Sequence, residues 1–476
     1  MSSTLILYAR SLQNELYSKI GFKLNSDGYH VVFVTNNIRE KKKVFENNPD
    51  AEIYVLEEYI KENWNNEQLL LDISFEEIEK RFEIASIWSL IYSDRHLIQL
   101  PETETIKYAK LIIAFILNII DNNRSGYFVN EEIANFPAYL FYIFGKKYKI
   151  KYIGFCVPRN FSNSKIAFTN DDHSTYYKLN NCYFKRNVDN QDLLKAEEFL
   201  LDIKERKQAP EYMQLTGRYP KLKAVFIWHL SNFLYNFFER KLQPEKFKFD
   251  FEKAADKPKE KIEELRNFIR FQFQKKYYCS PIPNQKYLLF PLHFQPEATT
   301  LVLAQNYEKQ LCAIDLIAKK LPGKYILYVK EHYARLGHRK ISFYKALQKY
   351  PNVRLINPLI NIYDLISKSE GIITLSGTAG WEAILLGKPV YLLGNVFYEN
   401  FNFIKKVNNI NDLSECITNT DIKFYQSAKY YEELKKYVAC YLNSLKNGDY
   451  ILGDDGFLSN SNVENLVQSL ISEIKA

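Results

Sequence analysis

Three short clusters in this chain combine residue types and spacing that could do chemistry, and each follows an apolar run. The first is Ser376-Gly377-Thr378-Ala379-Gly380, between the strand-like run Gly371 to Leu375 and a helical stretch that starts near Trp381. Small residues let a backbone approach a ligand closely. A strand-to-helix turn also aims N–H groups and hydroxyls at whatever sits above the helix N-terminus. The natural guest is a phosphate or diphosphate, which makes the turn half of a nucleotide-sugar site. The plainer alternative is a tight turn in which Ser376 or Thr378 caps the helix. Glu382 lies one helical turn beyond Thr378. There a carboxylate can accept from ribose hydroxyls or simply complement the helix dipole.

The second cluster is Lys330-Glu331-His332, directly after the run Tyr325 to Val329. A cation and an imidazole at a strand's carboxyl end can neutralise a leaving phosphate, and histidine can also hand it a proton. The third follows Tyr287 to Phe290, where Pro291 and Pro296 stiffen a loop carrying His293, Gln295 and Glu297 as readers of a base or sugar. Solvated charge clusters and proline-rich strand ends are the ordinary readings of these two. In the N-terminal half, Tyr92-Ser93-Asp94-Arg95-His96 offers an exposed acid beside two cationic side chains, a candidate base or nucleophile or else a surface ion pair. Glu131, Glu132 and Arg159 also follow strand-like runs and are candidates for the acceptor side.

Two alternating patterns position these groups. Strand-like Thr4 to Tyr8, an amphipathic Ser11 to Ser26 and strand-like Tyr29 to Thr35 make a βαβ opening. The first turn lacks GxGxxG, so no dinucleotide site is expected there. Ala51 to Val55, Tyr127 to Asn130 and Lys151 to Cys156 continue as strands; Phe75 to His96, Thr103 to Asp121 and Glu131 to Phe144 read as helices. A second series begins at Lys286, with strands at Tyr287 to Phe290, Tyr325 to Val329, Val353 to Ile356, Gly371 to Leu375 and Val390 to Leu393. The helices between them are Leu301 to Lys320, Ser342 to Lys349, Ile362 to Ser367 and Trp381 to Leu386. The fold class is α/β: two Rossmann-like, doubly wound domains facing a cleft, with ligands at the carboxyl ends of the strands. The expected division is 1–191, a helical insertion or linker at 192–280, a second domain at 281–450 and a C-terminal helix at 451–476.

Composition narrows the class. At 476 residues two domains are the default, and 25% charged with 46% hydrophobic residues describes a globular protein. A net charge of +8 suits an anionic ligand or membrane surface, while the absence of an arginine stripe or zinc-finger spacing argues against nucleic acid. Cys156, Cys182, Cys279, Cys312, Cys416 and Cys440 form no CxxC and read as reduced buried thiols of a cytoplasmic protein, not as a disulfide frame. The N-terminus reads as a first strand rather than a signal peptide, and Ala224 to Phe238 is too short to span a bilayer. The aromatic, basic-ended Lys221 to Lys241 reads as a helix packed between domains, with an anionic membrane as its alternative and the inner membrane face as the corresponding location.

The segments FPLHFQPEATT, YVKEH and SGTAGWEAILLGKPVYLLGNVFY, in this order, resemble the bacterial capsule polysaccharide biosynthesis proteins, a family related to β-Kdo transferases. The resemblance covers Lys286 to about Tyr398. It implies a GT-B glycosyltransferase whose donor contacts, carried over, are Lys330, His332, Ser376, Gly377, Thr378 and Glu382. Ala379 belongs to the same turn. Tyr333 departs from the family pattern, which has proline after the histidine. The expected reaction moves an acidic sugar, Kdo or another nonulosonic acid, from a CMP-activated donor to a glycan or lipid-linked glycan, without a metal or other cofactor. His332 serves the leaving phosphate and Asp94 serves the acceptor. A UDP-sugar transferase or 2-epimerase of the same shape is the enzyme alternative. A non-catalytic subunit of a polysaccharide export assembly is the alternative of another class.

Overall fold

A computed structural model of the chain describes residues 4–160, 164–206, 248–255, 260–332, 335–451 and 456–475. The Lys221 to Lys241 stretch and Tyr333 lie outside the described residues. Among those described, no helix is long and apolar enough to cross a membrane.

The described residues form two compact α/β units. One draws on Met1–Ser174, Leu234–Pro258 and Leu445–Ala476, the other on Thr175–Phe233 and Lys259–Ser444. This discontinuous division differs from the contiguous one expected. The Asn190–Arg206 helix pairs Glu197 with Lys435 at 3.9 Å inside the second unit. The Phe251–Ala255 helix instead brings Glu252 to Asn36 at 2.9 Å inside the first. The described parts of the expected insertion thus join existing cores rather than making one of their own.

The first unit holds β1 (Thr4–Tyr8), β2 (His30–Thr35), β3 (Glu52–Val55), β4 (Gly126–Glu131), β5 (Ile150–Cys156), β6 (Lys165–Thr169) and, from the C-terminal region, β13 (Lys446–Asn447). Its order is β13-β6-β5-β4-β1-β2-β3, parallel except for the pairings of β6 with β5 and β13. The second unit is wholly parallel: β7 (Tyr287–Pro291), β8 (Ile326–Lys330), β9 (Val353–Ile356), β10 (Gly371–Thr374), β11 (Val390–Leu392) and β12 (Lys405–Lys406), in the order β12-β11-β10-β7-β8-β9. Read from β7, that is the doubly wound order 3-2-1-4-5-6. Helices cover both faces, so β7 and β10 run almost without a polar residue and are buried along their length. Leu288, Phe290, Leu327, Val329, Ile373 and Leu375 form the centre of the second unit's core.

Helices start where polar side chains catch the first N–H groups. Asn135 caps Phe136–Tyr148 by accepting from Ala138, and Ser459 caps Asn460–Ile474 by accepting from Asn462. Two expected helices are interrupted. Phe75 to His96 breaks at Glu83, whose φ of 55° is left-handed. Leu301 to Lys320 breaks before Gln310, which spends its side chain on the loop after β7.

Two sequence expectations are corrected here. Cys182 and Cys440 form a disulfide, because the Tyr177–Lys185 and Ala428–Ser444 helices pack together and bring their Cα atoms to 5.4 Å. Of the remaining thiols only Cys156 is buried, and Cys312 is exposed. Asp94 is not an exposed acid: it is 0% exposed. Its Oδ1 accepts from the N–H groups of His96 (2.8 Å) and Leu97 (3.1 Å), and its Oδ2 from that of Phe136 (3.0 Å) at the start of a helix. The carboxylate joins two segments of the first unit and complements a helix N-terminus, so its oxygens already serve a structural purpose. Asp94→Asn turns one acceptor into a donor facing N–H groups, and should cost about 1–3 kcal/mol of stability. Urea unfolding checks this; an unchanged midpoint would show that the carboxylate does not act as a structural cap.

Candidate active site

Strand order in the second unit reverses between β7 and β10. Their following chains leave toward opposite faces there, and doubly wound sheets bind ligands in the crevice this opens. His293 follows β7 and Gly377 follows β10. A Cβ placed on Gly377 would lie 3.0 Å from His293 Cε1 and 3.4 Å from its Nε2. A side chain at this position would press on the imidazole, so glycine lets the turn and the ring approach without either giving way.

His293 is held by its backbone. Gln310 accepts from its N–H at 2.8 Å and donates to its carbonyl at 3.1 Å, and Arg339 Nη2 donates to the same carbonyl at 3.1 Å. The side chain is 6% exposed, and its Nε2 makes no hydrogen bond among the described residues. An orphaned polar atom buried against a helix start signals an absent partner, since buried polar groups are otherwise satisfied.

The Gly377 turn is the first turn of the Thr378–Leu385 helix, which begins three residues earlier than expected. Ser376 Oγ donates to the Thr299 carbonyl at 2.6 Å, Gly377 N–H donates to Thr374 Oγ1 at 3.1 Å, and Tyr398 Oη donates to the Gly377 carbonyl at 2.6 Å. The Ser376 hydroxyl proton and the Gly377 N–H therefore shape the turn. The donors a helix reserves for an anion are the first-turn N–H groups of Thr378 and Ala379. Gly380 is required because a Cβ there would meet Tyr398 Oη at 2.1 Å.

Lys330 ends β8 in register with Pro291 of β7. Its Nζ donates to the Pro358 carbonyl at 2.8 Å. Burial lowers its pKa to about 8, against the upward pull of Glu331 and Glu382, so it is mainly a cation at neutral pH. Glu331 is bound by Arg339 at 3.2 Å and by Tyr344 Oη at 2.8 Å. The Glu382 carboxylate is buried, and its charge raises the Lys330 pKa against the effect of burial. His332 is half-buried, its ring 5.8 Å from that of Phe294. Burial, then Lys330, Arg335 and Arg339, lowers its pKa to about 4. Burial, then His332 and Arg339, lowers that of His293 to about 3. Both imidazoles are neutral at pH 7. His332 therefore enters as a hydrogen-bonding group and not, as expected, as a ready proton donor. A bound anion would reverse part of that shift.

The other expected residues are less central. The Gln295 side chain donates to the Glu308 carbonyl, and Glu297 Oε2 accepts from Thr299 Oγ1 at 3.1 Å. In the first unit, Glu131 is paired with Arg10 and bonded to Gln13 Nε2 at 3.3 Å, while the Arg159 charge acts on Glu132. The sequence reading missed Gln310, Arg335 and Arg339. The dense basic run after His332 was the one visible signal for the two arginines, and Gln310 had none.

Residues 284–426 match the model of the capsule polysaccharide biosynthesis protein family. The resemblance read from the motifs is borne out over that stretch, which spans β7 through β12. Comparison with curated proteins returns no match. Among solved structures, the chain is similar to KpsC of Thermosulfurimonas dismutans, a beta Kdo 2,7 transferase: 12% identity, 76% of this chain and 89% of that one, TM-score 0.39. It is also similar to the beta Kdo 2,4 transferase of the same KpsC, with 12% identity, 72% and 86% coverage, and TM-score 0.37. The UDP-GlcNAc 2-epimerase of Neisseria meningitidis gives 12% identity, 93% and 98% coverage, and TM-score 0.23. Likenesses this weak carry no inference about activity.

The buried imidazoles have a pH consequence. Their folded pKa values, about 3 and about 4, lie below the ordinary 6.5, so the unfolded chain binds more protons in that interval. Stability contributed by the neutral rings is present above pH 6.5 and is lost as pH falls toward 4. His293→Asn and His332→Asn should each flatten that decline in the unfolding midpoint. Profiles parallel to wild type would contradict the assignment.

Proposed function

We propose that the crevice between His293 and the Gly377 turn receives the phosphate of an activated sugar, and that the chain is a glycosyltransferase of surface-polysaccharide synthesis. The donor is a CMP-activated acidic sugar, Kdo or another nonulosonic acid, and the acceptor a glycan or lipid-linked glycan. The observation that carries this reading is the unpartnered, buried His293 Nε2 set against a glycine turn at a helix N-terminus. The family match over the same stretch supports it.

In this reading the bond between the anomeric carbon and the phosphate oxygen breaks, and its electron pair leaves with the nucleotide. Negative charge grows on the phosphate, where the Lys330 cation, the first-turn N–H groups and the two neutral imidazoles can stabilise it. Donors fixed before the reaction need no reorganisation as that charge appears. The acceptor hydroxyl oxygen forms the new bond to the anomeric carbon as its O–H bond breaks, and the proton is released to solvent. Asp94 is left out of the chemistry because its oxygens cap backbone groups.

Incubation with CMP-Kdo, other CMP-nonulosonates and UDP-sugars, reading nucleotide release and thermal shift, tests the donor. Release from CMP-sugars is expected; preference for a UDP-sugar would replace the CMP assignment with the UDP-sugar transferase or 2-epimerase reading. Gly377→Ala places a methyl 3.0 Å from the His293 ring and should weaken CMP binding about tenfold or more, about 1.4 kcal/mol. Unaltered CMP affinity in that variant would move the phosphate elsewhere.

A further inference from the structure

Next to His293, within the second unit, is a cavity of about 200 Å³ lined by Arg266, Asn267, Gln295, Arg335, His338 and Arg339. Three guanidinium groups, an imidazole and two amides face it, and among the described residues its lining contains no carboxylate. Its volume exceeds that of a single water several times over.

The pocket is assembled from three places. The Glu260–Gln274 helix supplies Arg266 and Asn267, the chain after β7 supplies Gln295, and the chain after β8 supplies Arg335, His338 and Arg339. Gln274, 0% exposed, fastens the last of these to the helix. Its Oε1 accepts from the Gly337 N–H at 3.0 Å, and its Nε2 donates to the Arg339 carbonyl at 2.8 Å. Gly337 has φ +82°, and a Cβ there would lie 1.9 Å from the Asn267 carbonyl oxygen. The chain can lie this close to the helix only with glycine at that position.

The cationic heads are oriented. Arg335 stacks 3.9 Å over the Phe294 ring, donates to the Gln295 carbonyl and sits 2.9 Å from His338 Nδ1. Asn267 Nδ2 is 3.2 Å from the same Nδ1, so two donor groups converge on it. Arg339 is steadied by Glu331, whose side chain is 0% exposed, and by the His293 carbonyl. Pre-oriented guanidinium forks match phosphate and carboxylate oxygens bidentately. Three guanidinium groups line this one small cavity, with Glu331 already paired to Arg339, and an anion placed among them would meet positive charge from more than one side.

We propose that this cavity is a receptor for an oxyanion, with a phosphate monoester as its preferred ligand, separate from the place at the Gly377 turn. The Arg339–His293 hydrogen bond couples the two: Arg339 lines the cavity and holds the carbonyl of the residue whose ring faces the turn. A substrate with two anionic groups could occupy both. The cavity assignment does not depend on the donor reading.

Calorimetric titration of inorganic phosphate into the full chain, at constant ionic strength in chloride, tests it. Saturable binding is expected both without CMP and with CMP at saturation, and acetate should bind more weakly. Arg266→Gln should weaken phosphate about tenfold or more and leave CMP affinity unchanged; Arg335→Gln should also weaken phosphate. Absence of saturable phosphate binding, full phosphate affinity in both variants, or loss of the phosphate site once CMP is bound would each overturn the proposal. Acetate binding as tightly as phosphate would overturn the phosphate preference. If CMP fails to bind at all, the donor reading falls, while the phosphate titration and its Arg266→Gln control still decide the cavity by itself.

Discussion

The reversal of strand order between β7 and β10 is the constraint on which the rest of the second unit depends. Neighbouring parallel strands whose chains leave toward opposite faces cannot fill the space beyond their ends with their own connections. What stands there must come from the first residues of each loop: His293 on one side and the Gly377 turn on the other. Gln310 then sets the geometry by clamping both backbone groups of His293. Gln310 is also the first residue of the helix that resumes after the break.

The electrostatics follow from this packing. Lys330, His332, His293, Arg335 and Arg339 are drawn toward one edge of a buried sheet, where burial and neighbouring cations together depress the proton affinity of the imidazoles. The imidazoles give way first because their protonation is the least costly to lose, while Lys330 remains mainly charged. The edge is therefore cationic without being fully protonated, a state suited to receiving an anion and tightening around it.

The first unit makes an instructive contrast. Its parallel strands follow the same order, β3-β2-β1-β4-β5, with the same reversal between β1 and β4. There Arg10 follows β1 and Glu131 ends β4, and the two pair directly, with Glu252 at 3.9 Å from the same guanidinium. One topology thus produces an ion pair across its switch point in one unit and an unpartnered imidazole against a glycine turn in the other. The difference lies in side chains, not in strand order.

Much of this was legible locally. The strands β1, β7, β9 and β10 are marked by apolar runs ending in turn residues, and the family motifs occupy the loops that follow β7, β8 and β10. Such signals are carried by neighbours in sequence, so one chain suffices to read them. Other features depend on segments that meet only after folding. Asp94 looked exposed in a charged stretch of chain, yet a helix starting at Phe136 buries its carboxylate. Cys182 and Cys440 are 258 residues apart and show no spacing signal, because helix packing alone brings them together. Arg266 and Arg335 share a cavity because Gly337 lets a loop lie on a helix. Burial and backbone sterics act residue by residue, so the parallel sheets and the glycine turn could be read before any fold was known. Which charges are neutralised and which remain available depends on distances between residues remote in the chain, and folding alone sets those distances.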